Sequence, residues 1–72
     1  MADIKYEIKN KIGVISTAKG GWMKELNLIS WNDGEPKFDI RQWAPDHEKM
    51  GKGISLSKEE AQELLKLLQS SL

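Results

Sequence analysis

The chain of 72 residues contains no cysteine and one histidine, His47. The first absence removes disulfides as a source of stability, and a lone histidine cannot make a zinc cluster. An excess of one charge is missing too. Lys plus Arg number 11 and Asp plus Glu number 11, so the formal net charge is zero. That excludes an acidic or strongly basic tail. No run approaches the roughly 18 apolar residues that span a bilayer. The opening MADIKYEIK mixes charges with apolar residues and has no apolar signal core. A cytoplasmic location is expected, with no membrane partner, and the lack of cysteine suits a reducing compartment.

What is present is an ordinary globular composition, 39% hydrophobic. The length predicts one small domain over residues 1–72. So short a chain buries a small core and needs extra support. With disulfides and metal clusters set aside, a partner subunit is the expected staple.

Ile4, Tyr6 and Ile8 alternate with Lys5, Glu7 and Lys9, the period of a half-buried strand. A second β-rich run covers residues 12–17. Lys19-Gly20-Gly21 reads as a turn. In residues 22–31, Leu26 and Leu28 take one face while Asn27, Ile29 and Trp31 take the other. Asn32-Asp33-Gly34 predicts a hairpin, and Pro36 suits the start of the next strand. Along Lys37–Trp43, Phe38 and Ile40 oppose Lys37, Asp39, Arg41 and Trp43. A polar loop begins at Ala44-Pro45-Asp46, and residues 52–56 form a short last strand. Ser57 with Glu60 makes a capping box for a C-terminal helix. Its apolar stripe holds Ala61, Leu64, Leu65, Leu68 and Leu72, and Leu67 widens the arc. That extra width offers a second face to a partner; the plain alternative is a leucine left in water. The expected fold is therefore α+β: a curved antiparallel sheet of four or five strands, then one helix.

Enzymatic readings find little support. Neither Gly20-Gly21 nor the pair Gly51 and Gly53 fits a phosphate loop or a dinucleotide fingerprint. His47 reads as a solvated loop histidine. Glu59 and Glu60 open the helix, where negative charge suits its dipole. Asp33, Glu35, Asp46 and Glu48 lack a metal-ligand spacing. No catalytic residue, metal, cofactor or small-molecule substrate is expected.

The unusual feature is three tryptophans, Trp22, Trp31 and Trp43. Trp43 shares a face with Lys37 and Arg41, and Trp31 opposes Leu26 and Leu28. Aromatics interleaved with cations on an open sheet face form a stacking platform for single-stranded nucleic acid. The competing reading is that a second layer or a dimer interface covers those rings. Charge segregates mildly. Lys5, Lys9, Lys11, Lys19 and Lys24 face one carboxylate, Glu7, in residues 5–24, whereas Glu59, Glu60 and Glu63 outnumber Lys66 in residues 59–72.

Phe38-Asp39-Ile40-Arg41-Gln42-Trp43, a polar loop, Lys52-Gly53-Ile54-Ser55-Leu56-Ser57 and an acidic-started helix resemble the transcriptional positive cofactor four family, especially its small bacterial YdbC-type members. The resemblance covers about residues 22–70. It implies a four-stranded sheet with a helix, a homodimer, and grooves that bind single-stranded DNA with little sequence preference. By position, Arg41 and Lys52 would contact phosphates, Trp31 matches an aromatic at its strand's end, and Lys24 lies near a basic residue at that strand's start. The family's Tyr-Trp pair is here Trp43-Ala44, and its basic hairpin is Asn32-Asp33-Gly34-Glu35. The expected nucleic-acid-binding set is Lys19, Trp22, Lys24, Trp31, Lys37, Arg41, Trp43 and Lys52. Leu64, Leu67 and Leu68 are the expected dimerisation residues. The function expected is non-catalytic binding of single-stranded DNA or RNA by a homodimer, of a transcription-coactivator kind. A protein-interaction module working through the C-terminal helix is the alternative, and a subunit of a larger enzyme is a weaker third.

Overall fold

Four strands pair antiparallel in the order of the chain, β1-β2-β3-β4, and one helix follows, in a computed structural model that describes residues 5–72. Ile4, assigned to the first strand from sequence, lies outside the described residues. β1 (Tyr6–Thr17) is one strand rather than two runs. Its register against β2 (Met23–Trp31) slips between Ile8 and Asn10, Lys11 and Gly13, and Val14 and Ser16. Each slip inserts an unpaired residue, so a stretch that does not alternate strictly still keeps its partner.

Gly20 and Gly21, with φ of 83° and 85°, turn the chain between β1 and β2. That backbone region suits glycine and strains most other residues. The β2–β3 turn is centred on Asn32 and Asp33, which carry φ of 51° and 60°, with Gly34 N–H donating to the Trp31 carbonyl at 2.8 Å. Positive φ at both central residues matches the right-handed twist of a hairpin. The turn thus sits one residue earlier than Asp-Gly suggests. β3 (Lys37–Trp43) pairs with β4 (Met50–Leu56), which starts two residues before the expected Lys52.

Register assigns the faces. Leu26, Leu28, Phe38, Ile40, Ile54 and Leu56 share one, beside α1 (Lys58–Ser71). Tyr6, Glu25, Asn27, Ile29, Trp31, Asp39, Arg41 and Trp43 share the other. Deepest burial lies on this second face: Ile29, Trp43 and Asp39 are 0% exposed and Asn27 is 1%. Of the two readings of Trp43, the open platform is corrected: the ring is covered, with Tyr6 and His47 against it rather than a second layer or a partner. The reason is curvature. Trp43 pairs with Met23, eight residues from Trp31 along β2, about 26 Å in a flat strand. Yet the Tyr6 ring centroid lies 5.6 Å from that of Trp31 and 5.7 Å from that of Trp43. The sheet coils until its far corners meet, and the slips in β1 increase that local twist.

The capping box forms as read. Ser57 Oγ accepts from the Glu60 N–H at 3.1 Å, and Glu60 Oε1 accepts from the Ser57 N–H at 2.8 Å. No residue of α1 is buried, and Leu65, Leu67 and Leu68 are 55%, 58% and 43% exposed. Between helix and sheet lies an apolar groove of about 310 Å³ lined by Ile15, Leu26, Phe38, Ile40, Leu56 and the Ala61, Leu64, Leu65 and Leu68 stripe.

Candidate nucleic-acid interface

Alternation along β3 puts Asp39 and Arg41 side by side on the coiled face. Arg41 Nε donates to Asp39 Oδ1 at 2.6 Å, and an Nη donates to Oδ2 at 2.8 Å. Ser55 Oγ donates to the same Oδ2 at 2.8 Å. The other Arg41 Nη reaches the Gly51 carbonyl at 3.4 Å and Met50 Sδ at 3.6 Å. A forked, two-bond pair of this kind fixes the guanidinium plane as well as its charge. Gly53 lies directly opposite Arg41, and a Cβ there would collide with the Arg41 Cβ and the Ile40 carbonyl. Glycine is what lets the two strands close beneath this side chain.

So held, Arg41 sits over the Trp31 ring, its Cζ 4.7 Å from the centroid. Tyr6 tilts against Trp31 at 43° and against Trp43 at 51°. On Trp43 the His47 ring stacks, centroids 4.2 Å apart and 3° from parallel. His47 takes a positive φ of 64° in the loop after β3 and its N–H donates to the Ala44 carbonyl at 2.8 Å. That turn swings the imidazole back under the sheet. The reading of His47 as a solvated loop residue is therefore corrected: a loop backbone is no guide to a side chain that a tight turn redirects. The buried Trp31 and Trp43 indole N–H groups find no acceptor among the described residues.

His47 Nε2 lies 3.0 Å from Glu25 Oε1, and Asn27 Nδ2 donates to the same oxygen at 3.1 Å. Burial opposes the Glu25 charge, but the bonds from His47 and Asn27, with the charges of His47 and Lys11, outweigh it. The carboxyl is held below its ordinary value.

The structure gathers Trp31, Arg41 and Trp43, although Trp43 is wholly covered and Arg41 is spoken for by Asp39. Lys37 is exposed on the same face. Lys24 is exposed on the opposite one, paired with Gln42 beside Leu26. Trp22 is half-buried at the start of β2, at the far end from Trp31. Lys19 and Lys52 are exposed, in the β1–β2 turn and in β4. Leu64 is half-buried against the sheet, Leu68 lines the same groove at 43% exposure, and Leu67 faces water. The sequence set Asn27 and Asp39 on this face without a role, and missed Tyr6 and Glu25 as members of it. The i, i+2 spacing of Asp39 and Arg41 was the available signal.

Among the described residues, no group of three His, Asp or Glu side chains is placed to hold a metal, and no helix is long and apolar enough to cross a membrane. The family model described as Transcriptional Coactivator p15 (PC4) matches residues 18–67, from the β1–β2 turn through most of α1. An uncharacterized protein of Treponema pallidum (strain Nichols) is 47% identical over 68 residues, covering 94% of this chain and 80% of that relative.

Proposed function

The chain belongs to the Transcriptional Coactivator p15 (PC4) family, and from that membership we propose that it binds single-stranded DNA, as a homodimer and without catalysis. The observation that carries this reading is the Arg41–Trp31 pair, a cation fixed over an aromatic ring by Asp39 on one sheet face. A base stacks on such a platform whatever its identity, at about 1–3 kcal/mol per base. With Trp43 buried, stacking rests on Trp31, with Trp22 as a second ring at the other end of β2. Lys37, Lys52 and Lys19 track phosphates from exposed positions, and Lys24 stands on the opposite face. Because Asp39 neutralises Arg41 and the whole chain carries no net charge, affinity leans on stacking more than on charge. The process served is transcription-related and cytoplasmic.

The groove beside α1 supports the dimer. A face lined by nine apolar residues next to exposed Leu67 is costly to leave in water, and a second copy of the chain covers it. The same face favours the other reading, a module that docks a different protein's helix.

Titration with an oligothymidine of about twenty nucleotides, followed by tryptophan emission at two salt concentrations, tests the proposal. The expected result is quenching on binding, with a log–log salt slope of about −0.7 per phosphate neutralised. A parallel titration with oligouridine decides whether RNA is also a ligand. Absence of binding at low salt removes the reading.

A further inference from the structure

On the coiled face, where β1, β2 and the loop after β3 approach one another, lies a cavity of about 220 Å³ lined by Lys11, Gly13, Val14, Met23, Glu25, Asn27 and His47. Drug-sized ligands occupy pockets of roughly 300–1,000 Å³, so this one suits a smaller planar group. Its wall is chemically specific. Glu25 is 6% exposed and Asn27 1%. The bonds from Asn27 Nδ2 and His47 Nε2 both fall on Glu25 Oε1. Among the described residues, no donor reaches Glu25 Oε2 or the Asn27 carbonyl oxygen.

Two acceptor-bearing side chains on one cavity wall, one of them anionic, repel a phosphate and suit a pair of N–H donors. Among the nucleobases, the Watson–Crick edge of guanine alone presents such a pair, N1–H beside the N2 amino group. Adenine and cytosine offer one amino group next to an acceptor, and thymine offers one N–H between two carbonyls. Guanine O6, next along that edge, needs a donor, and the exposed Lys11 lines the same cavity. Val14 and Met23 supply apolar wall for the base faces.

We infer that this cavity is a guanine-selective base subsite, reading the N1–H and N2 amino donors with Glu25 and Asn27 and O6 with Lys11. The inference rests on the single-stranded DNA reading and deepens it: the strand is held without regard to sequence elsewhere and is read at this position. Glu25 is thus a specificity residue on a face otherwise suited to any base.

The test uses the full chain and four oligonucleotides of about twenty nucleotides: all thymidine, and the same strand with one central guanine, inosine or adenine. The guanine strand is expected to bind about tenfold tighter than oligothymidine, a good two-bond base contact being worth about 1–3 kcal/mol. Inosine, which lacks the N2 amino group, is expected to lose most of that gain, and adenine all of it. Glu25→Gln is expected to abolish the guanine preference while leaving oligothymidine affinity within about twofold. Lys11→Ala, at an exposed position, is expected to reduce the ratio of guanine to thymidine affinity. Equal affinity for all four strands overturns the subsite and leaves the single-stranded DNA reading standing. So does an adenine gain equal to that of guanine, since purine stacking then explains both. Binding to none of the four overturns both.

Discussion

Arg41 lies over Trp31 although pairing register separates them by six residues: Arg41 is opposite Glu25, and Trp31 ends the same strand. In a flat sheet that is about 20 Å. Coiling brings the guanidinium to 4.7 Å from the ring centroid, so the platform is a product of curvature. Arg41→Lys keeps the charge and loses both the fork on Asp39 and the planar stack. Oligothymidine affinity is expected to fall about tenfold, alike for all sequences. Arg41→Ala is expected to cost about 3–5 kcal/mol in urea unfolding as well, because it strands the buried Asp39 carboxylate. Wild-type affinity in Arg41→Lys would show that a point charge is enough.

Gly53→Ala places a methyl group against the Arg41 backbone and Cβ. The strands must part or Arg41 must leave its seat. A loss of about 1–3 kcal/mol is expected from urea midpoints, with weaker DNA binding in step. Unchanged stability would mean β4 can move without strain.

Glu25 contributes a pH dependence to stability. Its carboxyl sits below the ordinary 4.5 when folded, so the folded chain binds that proton less readily than the unfolded one. The stabilisation is complete above pH 4.5 and is lost as pH falls through the depressed folded value. Urea midpoints for wild type and Glu25→Gln are expected to differ most at neutral pH and to converge in acid. Parallel curves would count against the Glu25–His47–Asn27 bonds.

Ser57→Ala removes the acceptor for the Glu60 N–H. About 1 kcal/mol of stability is expected to go with it, and circular dichroism is expected to show fraying in the first turn of α1. Glu60→Ala breaks the reciprocal bond and is expected to act in the same direction.

Leu65→Glu and Leu68→Glu each put a charge in the groove between α1 and the sheet. Light scattering at micromolar concentration is expected to report a dimer for the wild type and a monomer for either variant. A dimer that survives both substitutions assigns the interface elsewhere.

Much of the fold was legible because short-range rules govern it. Period-2 alternation found β2 and β3, and Ser57 with Glu60 marked the start of α1. β1 read as two pieces because its slips break the alternation on which such reading depends. The site was legible in composition but not in arrangement. Trp31, Arg41 and Trp43 were singled out by type. Whether a ring on a given face is open depends on how far the sheet rolls, and that is a long-range property of strand twist. Tyr6 joined the cluster for the same reason. His47 was misjudged because one left-handed residue reverses the direction of a side chain.

The three slips in β1 carry a consequence for the free chain. β1 is an edge strand, and it bears Ile12, Val14 and Ile15 at 44–56% exposure. A straight edge so apolar is a template on which another chain's strand can grow into a fibre. The slips place an unmatched residue at short intervals, so no incoming strand finds a long run of evenly spaced donors and acceptors. The irregularity that hid β1 in the sequence keeps its sticky border from propagating.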